Sequence, residues 1–285
     1  MERPLILVTN DDGIDSLGLW ANVEALLPLG DVLVVAPDRQ WSCAARSMPP
    51  DTSAAVKQAD RRVGQEIVRA IAIDASPAQA VLHAVLQLSP RRPDLVVSGT
   101  NYGYNAGAEA SISGTVGAAA QASVMGIPGL AVSLEMDASQ YLSGDQEADY
   151  SVAAAYAQSF GRLLLQSAMP GDVHVLSVNV PGDATLGTPW RLTRVSQHHY
   201  YVAIPGRPPQ QAGQMTFVPL QSFGHIERDS DIWTVAVDHI VAVSPISCNP
   251  TSRVDLVGLD VMLRGELRMQ ESSVCQSAKM DQKRS

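Results

Sequence analysis

Two adjacent carboxylates, Asp11 and Asp12, follow the apolar run Leu5 to Val8 within Thr9-Asn10-Asp11-Asp12-Gly13. At the carboxyl end of a strand and ahead of a helix, such a pair offers hard oxygen ligands suited to Mg²⁺ or Mn²⁺. Taken alone, the pair favours a structural use, in which one Asp caps the helix and the other turns the chain with Gly13. A second loop, Ala36-Pro37-Asp38-Arg39-Gln40-Trp41-Ser42-Cys43, adds a hydroxyl, a carboxylate and a guanidinium but carries little by itself. The third loop is richer. Ser98-Gly99-Thr100-Asn101-Tyr102-Gly103-Tyr104-Asn105-Ala106-Gly107 leads to Ser111-Ile112-Ser113-Gly114-Thr115-Val116-Gly117. Its glycines let backbone N–H groups approach a ligand closely. Ser113-Gly114-Thr115 precedes the run Ala118 to Ala120, a helix start of the kind that receives phosphate. There is no Gly-Lys-Ser/Thr of a Walker A loop and no GxGxxG of a dinucleotide fold. A flexible connection is the plain alternative, but long ordered connections in compact domains are usually functional. Together the three loops hold what metal-assisted phosphate hydrolysis requires: a cation site, donors for the phosphoryl oxygens, and a carboxylate or water to attack.

These loops need elements to hold them at one edge. The runs Leu5 to Val8, Val32 to Ala36, Leu95 to Val97 and Leu130 to Leu134 read as buried parallel strands. Between them lie helical spacings: Leu17, Trp20, Val23 and Leu27 on one face, and Ser76-Pro77 as cap and first turn before Val81, Leu82, Val85 and Leu86. The fold class expected is α/β, a doubly wound Rossmann-like, mostly parallel sheet, with ligands beyond the carboxyl ends of its strands. Residues 147–167 read as helix and Val173 to Val180 as a further strand. Ser196 to Ser230, rich in Gln, Pro, Gly and His, reads as a projecting hairpin with pieces at His198 to Ala203 and Met215 to Pro219. Trp233 to Val243 reads as strand. The expected domains are an α/β core over 1–195, an extended hairpin and C-terminal segment over 196–271, and a loose tail over 272–285.

Composition sets outer bounds. The 285 residues are 46% hydrophobic and 17% charged, enough apolar material for a sizeable core. Twenty Lys and Arg against 29 Asp and Glu give a formal charge of -9, which argues against capture of a nucleic-acid duplex, since phosphate backbones need clustered cations. Cys43, Cys248 and Cys275 are widely spaced and suggest no disulfide framework. Met1-Glu2-Arg3-Pro4 runs straight into a strand without a signal-peptide pattern, and no segment reaches the ~18 apolar residues of a membrane helix. A soluble, cytoplasmic protein is expected.

At the level of motifs the chain resembles the SurE family of survival proteins, metal-dependent nucleoside-monophosphate phosphatases. Three blocks carry the resemblance: Val8-Thr9-Asn10-Asp11-Asp12-Gly13-Ile14; Val35-Ala36-Pro37-Asp38-Arg39 through Ser42; and Asp94-Leu95-Val96-Val97-Ser98-Gly99-Thr100-Asn101 through Ser113-Gly114-Thr115-Val116. The match is strong over residues 4–135 and weaker through Val178-Asn179-Val180-Pro181 and Val241 to Pro245. It implies one divalent metal ion per subunit, Mg²⁺ or Mn²⁺, held by Asp11, Asp12, Ser42 and Asn101. It implies phosphate binding by Asn10, Asn105, Ser113, Gly114 and Thr115. Asp11 and Asp12 would be the catalytic pair, one of them also positioning or activating the attacking group. The substrate implied is a nucleoside monophosphate, cleaved as by a 5′-nucleotidase with 3′ cleavage left open, and the assembly a homodimer or homotetramer, with the extended hairpin and C-terminal segment used for oligomerisation. Rival readings are a phosphatase for polyphosphate or sugar phosphates and a non-catalytic nucleotide or phosphate sensor.

Three departures accompany the resemblance. Cys43 stands where the family usually has Gly, Gly99-Thr100-Asn101 replaces Gly-Ile-Asn, and Ser76-Pro77-Ala78-Gln79-Ala80-Val81 replaces a stretch like Thr-Pro-Ala-Asp-Cys-Val. Cys43 without a base partner nearby reads as a small semi-buried thiol rather than a nucleophile. His83 reads as a core histidine. His198 and His199 are adjacent and would point apart on a strand, so they suit surface contacts better than one chelate. Trp41, Tyr102 and Tyr104 divide evenly between loop packing and stacking on a nucleobase.

Overall fold

The computed structural model describes residues 2–136, 148–205 and 215–265. Strands β1 (Leu5–Thr9), β2 (Asp31–Pro37), β5 (Glu66–Ile73), β6 (Leu95–Tyr102), β7 (Gly129–Leu134) and β8 (Val175–Val180) form a parallel core in the order β5-β2-β1-β6-β7-β8. The chain winds outward from β1 to β2 and β5, then crosses back to β6. The switch point therefore lies between β1 and β6, where ligands of doubly wound sheets sit. Two short strands, β3 (Val56–Gln58) and β4 (Arg61–Val63), pair antiparallel with β5. At the other edge β12 (Val241–Ile246) lies antiparallel to β8 and parallel to β9 (Trp190–Leu192). The expected sheet is present, and so is a hairpin of β10 (Tyr201–Pro205) and β11 (Met215–Pro219).

Alternation along each strand divides the core. Ile6, Val8, Val34 and Val97 face α1 (Leu17–Leu26) and α4 (Ser151–Gln166), while Leu5, Leu7, Leu33 and Val35 face α2 (Pro77–His83) and α3 (Gly114–Val124). Ser16 caps α1, and Ser76 with Gln79 closes a full capping box on α2.

Several local expectations shift. The buried face of α1 is Leu19, Trp20, Val23 and Leu26, whereas Leu17, the first residue after the cap, is exposed. The second helix continues past His83 as a π-helix, Ala84–Leu88, which turns Leu86 outward; His83 is half-buried against Gln87 rather than in the core. Trp233 to Val243 is not one strand. Ser230 caps a short helix, α5 (Asp231–Ala236), by accepting from the Trp233 N–H, and β12 starts only after a turn at His239. The described residues up to Cys248 form one compact unit, and those from Asn249 belong to a second, in which 256–265 are helical. Among the described residues no helix is long and apolar enough to cross a membrane.

Candidate active site

The turn after β1 is closed by Asn10, whose side chain accepts from the Gly13 N–H (3.2 Å) and donates to the Gly13 carbonyl (3.0 Å). Gly13 sits at φ +99°, a conformation that suits glycine. This knot fixes Asp11 and Asp12 beyond the strand. Both ends of the Asn10 amide take part in it, so Asn10 shapes the loop that carries the two carboxylates.

Asp11 is buried, and its Oδ1 accepts from the Thr115 hydroxyl at 2.5 Å. The Gly114 and Thr115 N–H groups also bear on this carboxylate, which therefore sits at the amino end of α3. A Cβ on Gly114 would lie 2.7 Å from Asp11 Oδ2, so glycine is what allows the approach. Asp12 accepts from Gln40 Nε2 (3.2 Å) and from the Tyr102 N–H (3.3 Å). Burial pushes Asp11 up to about 6. Burial first, and the neighbouring Asp11 charge second, hold Asp12 well above the usual carboxylate range.

The second loop is fastened to both. The Trp41 N–H donates to the Asp11 carbonyl (2.7 Å) and the Ala45 N–H to the Ile112 carbonyl (2.9 Å). A Cβ on Gly117 would fall 2.0 Å from the Ala45 carbonyl, so this loop lies directly on the first turns of α3. Ser42 lies between Trp41 and an exposed Cys43. Cys43 takes φ +58°, the left-handed region that explains a glycine preference there. Its thiol is held above the usual range by burial, then by Asp11 and Glu109. From β6, Asn101 donates to the Tyr102 (3.2 Å) and Gly103 (2.8 Å) carbonyls, which leaves its Oδ1 as the ligand-type atom.

Beyond Asn101 the chain is held from elsewhere. Asn105 is buried; its N–H donates to Asn179 Oδ1 and its side chain to Ser133 Oγ, each at 2.8 Å. Ser113 Oγ caps α3 by accepting from the Val116 N–H (3.1 Å). The Gly107 N–H reaches Asp231 (2.9 Å), the Ala108 N–H the His198 carbonyl, and the Tyr104 N–H the Tyr201 hydroxyl (3.3 Å). Buried Glu109 accepts from His199 Nδ1 (2.9 Å) and from the Tyr200 and Tyr201 N–H groups. Glu109, Asp231 and Gln40 were not singled out by sequence. Asp231 directly after the cap Ser230, and Glu109 inside a loop of small residues, were the available signals.

The aromatic candidates separate cleanly. Tyr104 is only 2% exposed and packs edge-on against Tyr200, so it cannot stack on a ligand. Tyr102 leans on Tyr150 and accepts from the Leu17 N–H. Trp41 is half-buried beneath the Arg39 guanidinium.

The donor set fits a hard divalent cation. Among the described residues no Lys, Arg or His pairs with Asp11 or Asp12, so two neighbouring carboxylates share a confined site without a positive counter-charge. Nor is there a cluster of three His, Cys, Asp or Glu there, which leaves hydroxyl and carboxamide oxygens to complete any shell.

Fold and site together define a class: a doubly wound α/β protein with a carboxylate-pair, cation-compatible centre at its switch point. The chain belongs to the SurE family, since residues 6–202 match the family described as survival protein SurE. It is 37% identical to 5'-nucleotidase SurE of Thermococcus gammatolerans over 261 residues, covering 92% of this chain and 96% of that protein. It is 33% identical to 5'-nucleotidase SurE 1 of Thermus thermophilus over 260 residues, covering 91% and 98%. The crystal structure of the SurE protein from Aquifex aeolicus superposes with a TM-score of 0.68 at 28% identity, covering 87% of this chain and 95% of that one.

Proposed function

We propose that this chain is a divalent-metal-dependent nucleotidase that cleaves nucleoside monophosphates to nucleoside and phosphate. The observation that carries it is the Asp11–Asp12 pair at the switch point, without a cationic partner and bordered by the amino end of α3. Its relatives' names, 5'-nucleotidase SurE, support the substrate class.

In this reading Asp11, Asp12, Ser42 and Asn101 hold one Mg²⁺ or Mn²⁺ per subunit. When bound, the ion neutralises phosphate charge and acidifies a coordinated water. The chain's residues do the rest. Thr115 holds Asp11 by its hydroxyl, and Gln40 with the Tyr102 N–H fixes the two oxygens of Asp12. The Gly114 and Thr115 N–H groups, at the positive end of α3, would offer donors to the phosphoryl oxygens beside Asp11. Ser113 and Asn105 shape this cradle, the first as helix cap and the second through Ser133 and Asn179.

The same reading gives a homodimer or homotetramer that uses the hairpin and the C-terminal segment; exposed Val202, Ile204, Phe217, Val257 and Val261 support it. A reducing cytoplasm suits free Cys43 and Cys248.

The test is phosphate release from a panel of nucleoside monophosphates, a sugar phosphate, polyphosphate and an aryl phosphate, with Mg²⁺ or Mn²⁺ and again with EDTA. Metal-dependent release favouring nucleotides supports the proposal. Nucleotide binding without release under any metal favours a sensor, and preference for a substrate without a base moves the assignment to a general phosphatase.

A further inference from the structure

Asn101 is reached through an irregular stretch. β6 pairs with β7 in register up to Ser98–Ala131 and resumes at Asn101–Ser133, so Gly99 and Thr100 form a bulge. Bulges beside functional sites re-aim the side chain that follows them. This one is pressed from both sides. A Cβ on Gly99 would lie 2.2 Å from the Val132 carbonyl, and one on Gly18 of α1 would lie 2.3 Å from the Thr100 carbonyl. α1 thus rests directly on the bulge backbone.

The side chains add a polar contact in an apolar place. Thr100 Oγ1 donates to Asn22 Oδ1 at 3.0 Å, and both residues are fully buried. Asn22 belongs to the buried face of α1 among Leu19, Val23 and Leu26, where an aliphatic side chain would bury more favourably. Its Nδ2 has no partner, so the amide is not there for stability alone. One residue beyond Asn101, the Tyr102 hydroxyl accepts from the Leu17 N–H, and the Tyr102 N–H donates to Asp12. Asn101 is therefore flanked by two residues tied to the same helix.

We infer that Asn22 and Thr100 are positioning residues: through their buried hydrogen bond, α1 sets the Asn101 carboxamide against Asp12 and so tunes cation affinity. The inference rests on the metal reading above.

The test is calorimetric Mn²⁺ titration, with thermal unfolding measured alongside, on the full chain and on Thr100→Val, Thr100→Ser and the double variant Thr100→Val/Asn22→Leu. Outer-shell partners of metal ligands are worth about 10- to 100-fold in affinity, so Thr100→Val is expected to bind Mn²⁺ at least about 10-fold more weakly. Thr100→Ser, which keeps the hydroxyl, should restore affinity to within about 3-fold, well inside that range. The double variant leaves no polar group unpaired, so its unfolding temperature should recover while its Mn²⁺ affinity does not. Wild-type affinity in the double variant, or loss of stability in Thr100→Val without loss of affinity, overturns the inference and leaves the pair a packing feature. Absence of Mn²⁺ binding by the unaltered chain is the separate outcome that overturns the metal reading, and this inference with it.

Discussion

The two halves of the candidate site are held in different ways. The carboxylate half, with Asp11, Asp12 and the bulge before Asn101, stands on β1, β6 and α1, elements that meet across the buried core. The half from Tyr104 to Ser111 packs Tyr104 and Ala106 on a separate small cluster with Tyr200, Ile226, Ile232 and Val235, and is clamped by that remote segment through Asp231 to Gly107, Tyr201 to Tyr104 and Glu109 to residues 199–201. The first half is thus set by sheet geometry and the second by packing and hydrogen bonds that span some ninety or more residues of chain. The hairpin grows out of that same clamp, with β10 starting at Tyr201, so the hairpin and the loop from Tyr104 to Ser111 share their supports.

Breaking the carboxylate half should have the largest effect. Asp12→Asn is expected to lower phosphate release by at least about 100-fold, the scale of removing a group that stabilises transition-state charge. It should also raise the unfolding temperature of metal-free protein at neutral pH, because a like-charge neighbour of Asp11 is gone. Breaking the clamp should cost stability as well as binding. Asp231→Asn leaves the Gly107 or Ser196 N–H unpaired, at about 1–3 kcal/mol by chemical denaturation, and should raise KM more than it lowers kcat. Gly107→Ala should act in the same direction. Its Cβ would fall 2.4 Å from the His198 carbonyl, at a φ of +63°.

The carboxylate half also sets a pH response. Both Asp11 and Asp12 are raised in the folded protein, so the folded state binds more protons than the unfolded chain above pH 3.8. Their contribution is complete at low pH and fades as pH rises through about 6, where Asp11 ionises. Metal-free protein should therefore lose unfolding temperature from pH 4 to pH 7, and Mg²⁺ should restore it at the upper end. The smallest effect belongs to the loop between the halves. Cys43→Gly relieves a left-handed backbone and should stabilise by about 1 kcal/mol with little change in kcat.

This division tracks what could be read from sequence. The strand-end carboxylates, the cap at Ser76 and the parallel core follow from local residue types, since strand runs, turn residues and helix caps act over a few positions. Residue type points Asn10 and Asn105 to phosphate, and the fold adds an internal hydrogen bond from each amide that residue type does not show. Only the fold shows that Asn10 closes its own turn and that Asn105 meets Ser133 and Asn179. Thr115 likewise turns out to hold Asp11. The reading of Trp233 to Val243 as strand failed on a single cap, because Ser230 and Asp231 start a helix that apolar content alone does not signal. The clamp was illegible for a simpler reason: its partners, such as Gly107 and Asp231, are 124 positions apart.

The central claim is that Asp11 and Asp12 form a cation site. Calorimetric Mn²⁺ titration of the unaltered chain and of Asp12→Asn tests it most directly. One ion per chain, with affinity reduced at least about 100-fold in the variant, is the result predicted for loss of a direct ligand, the upper end of what outer-shell changes do. Equal binding by the two proteins, or no binding by either, would contradict it.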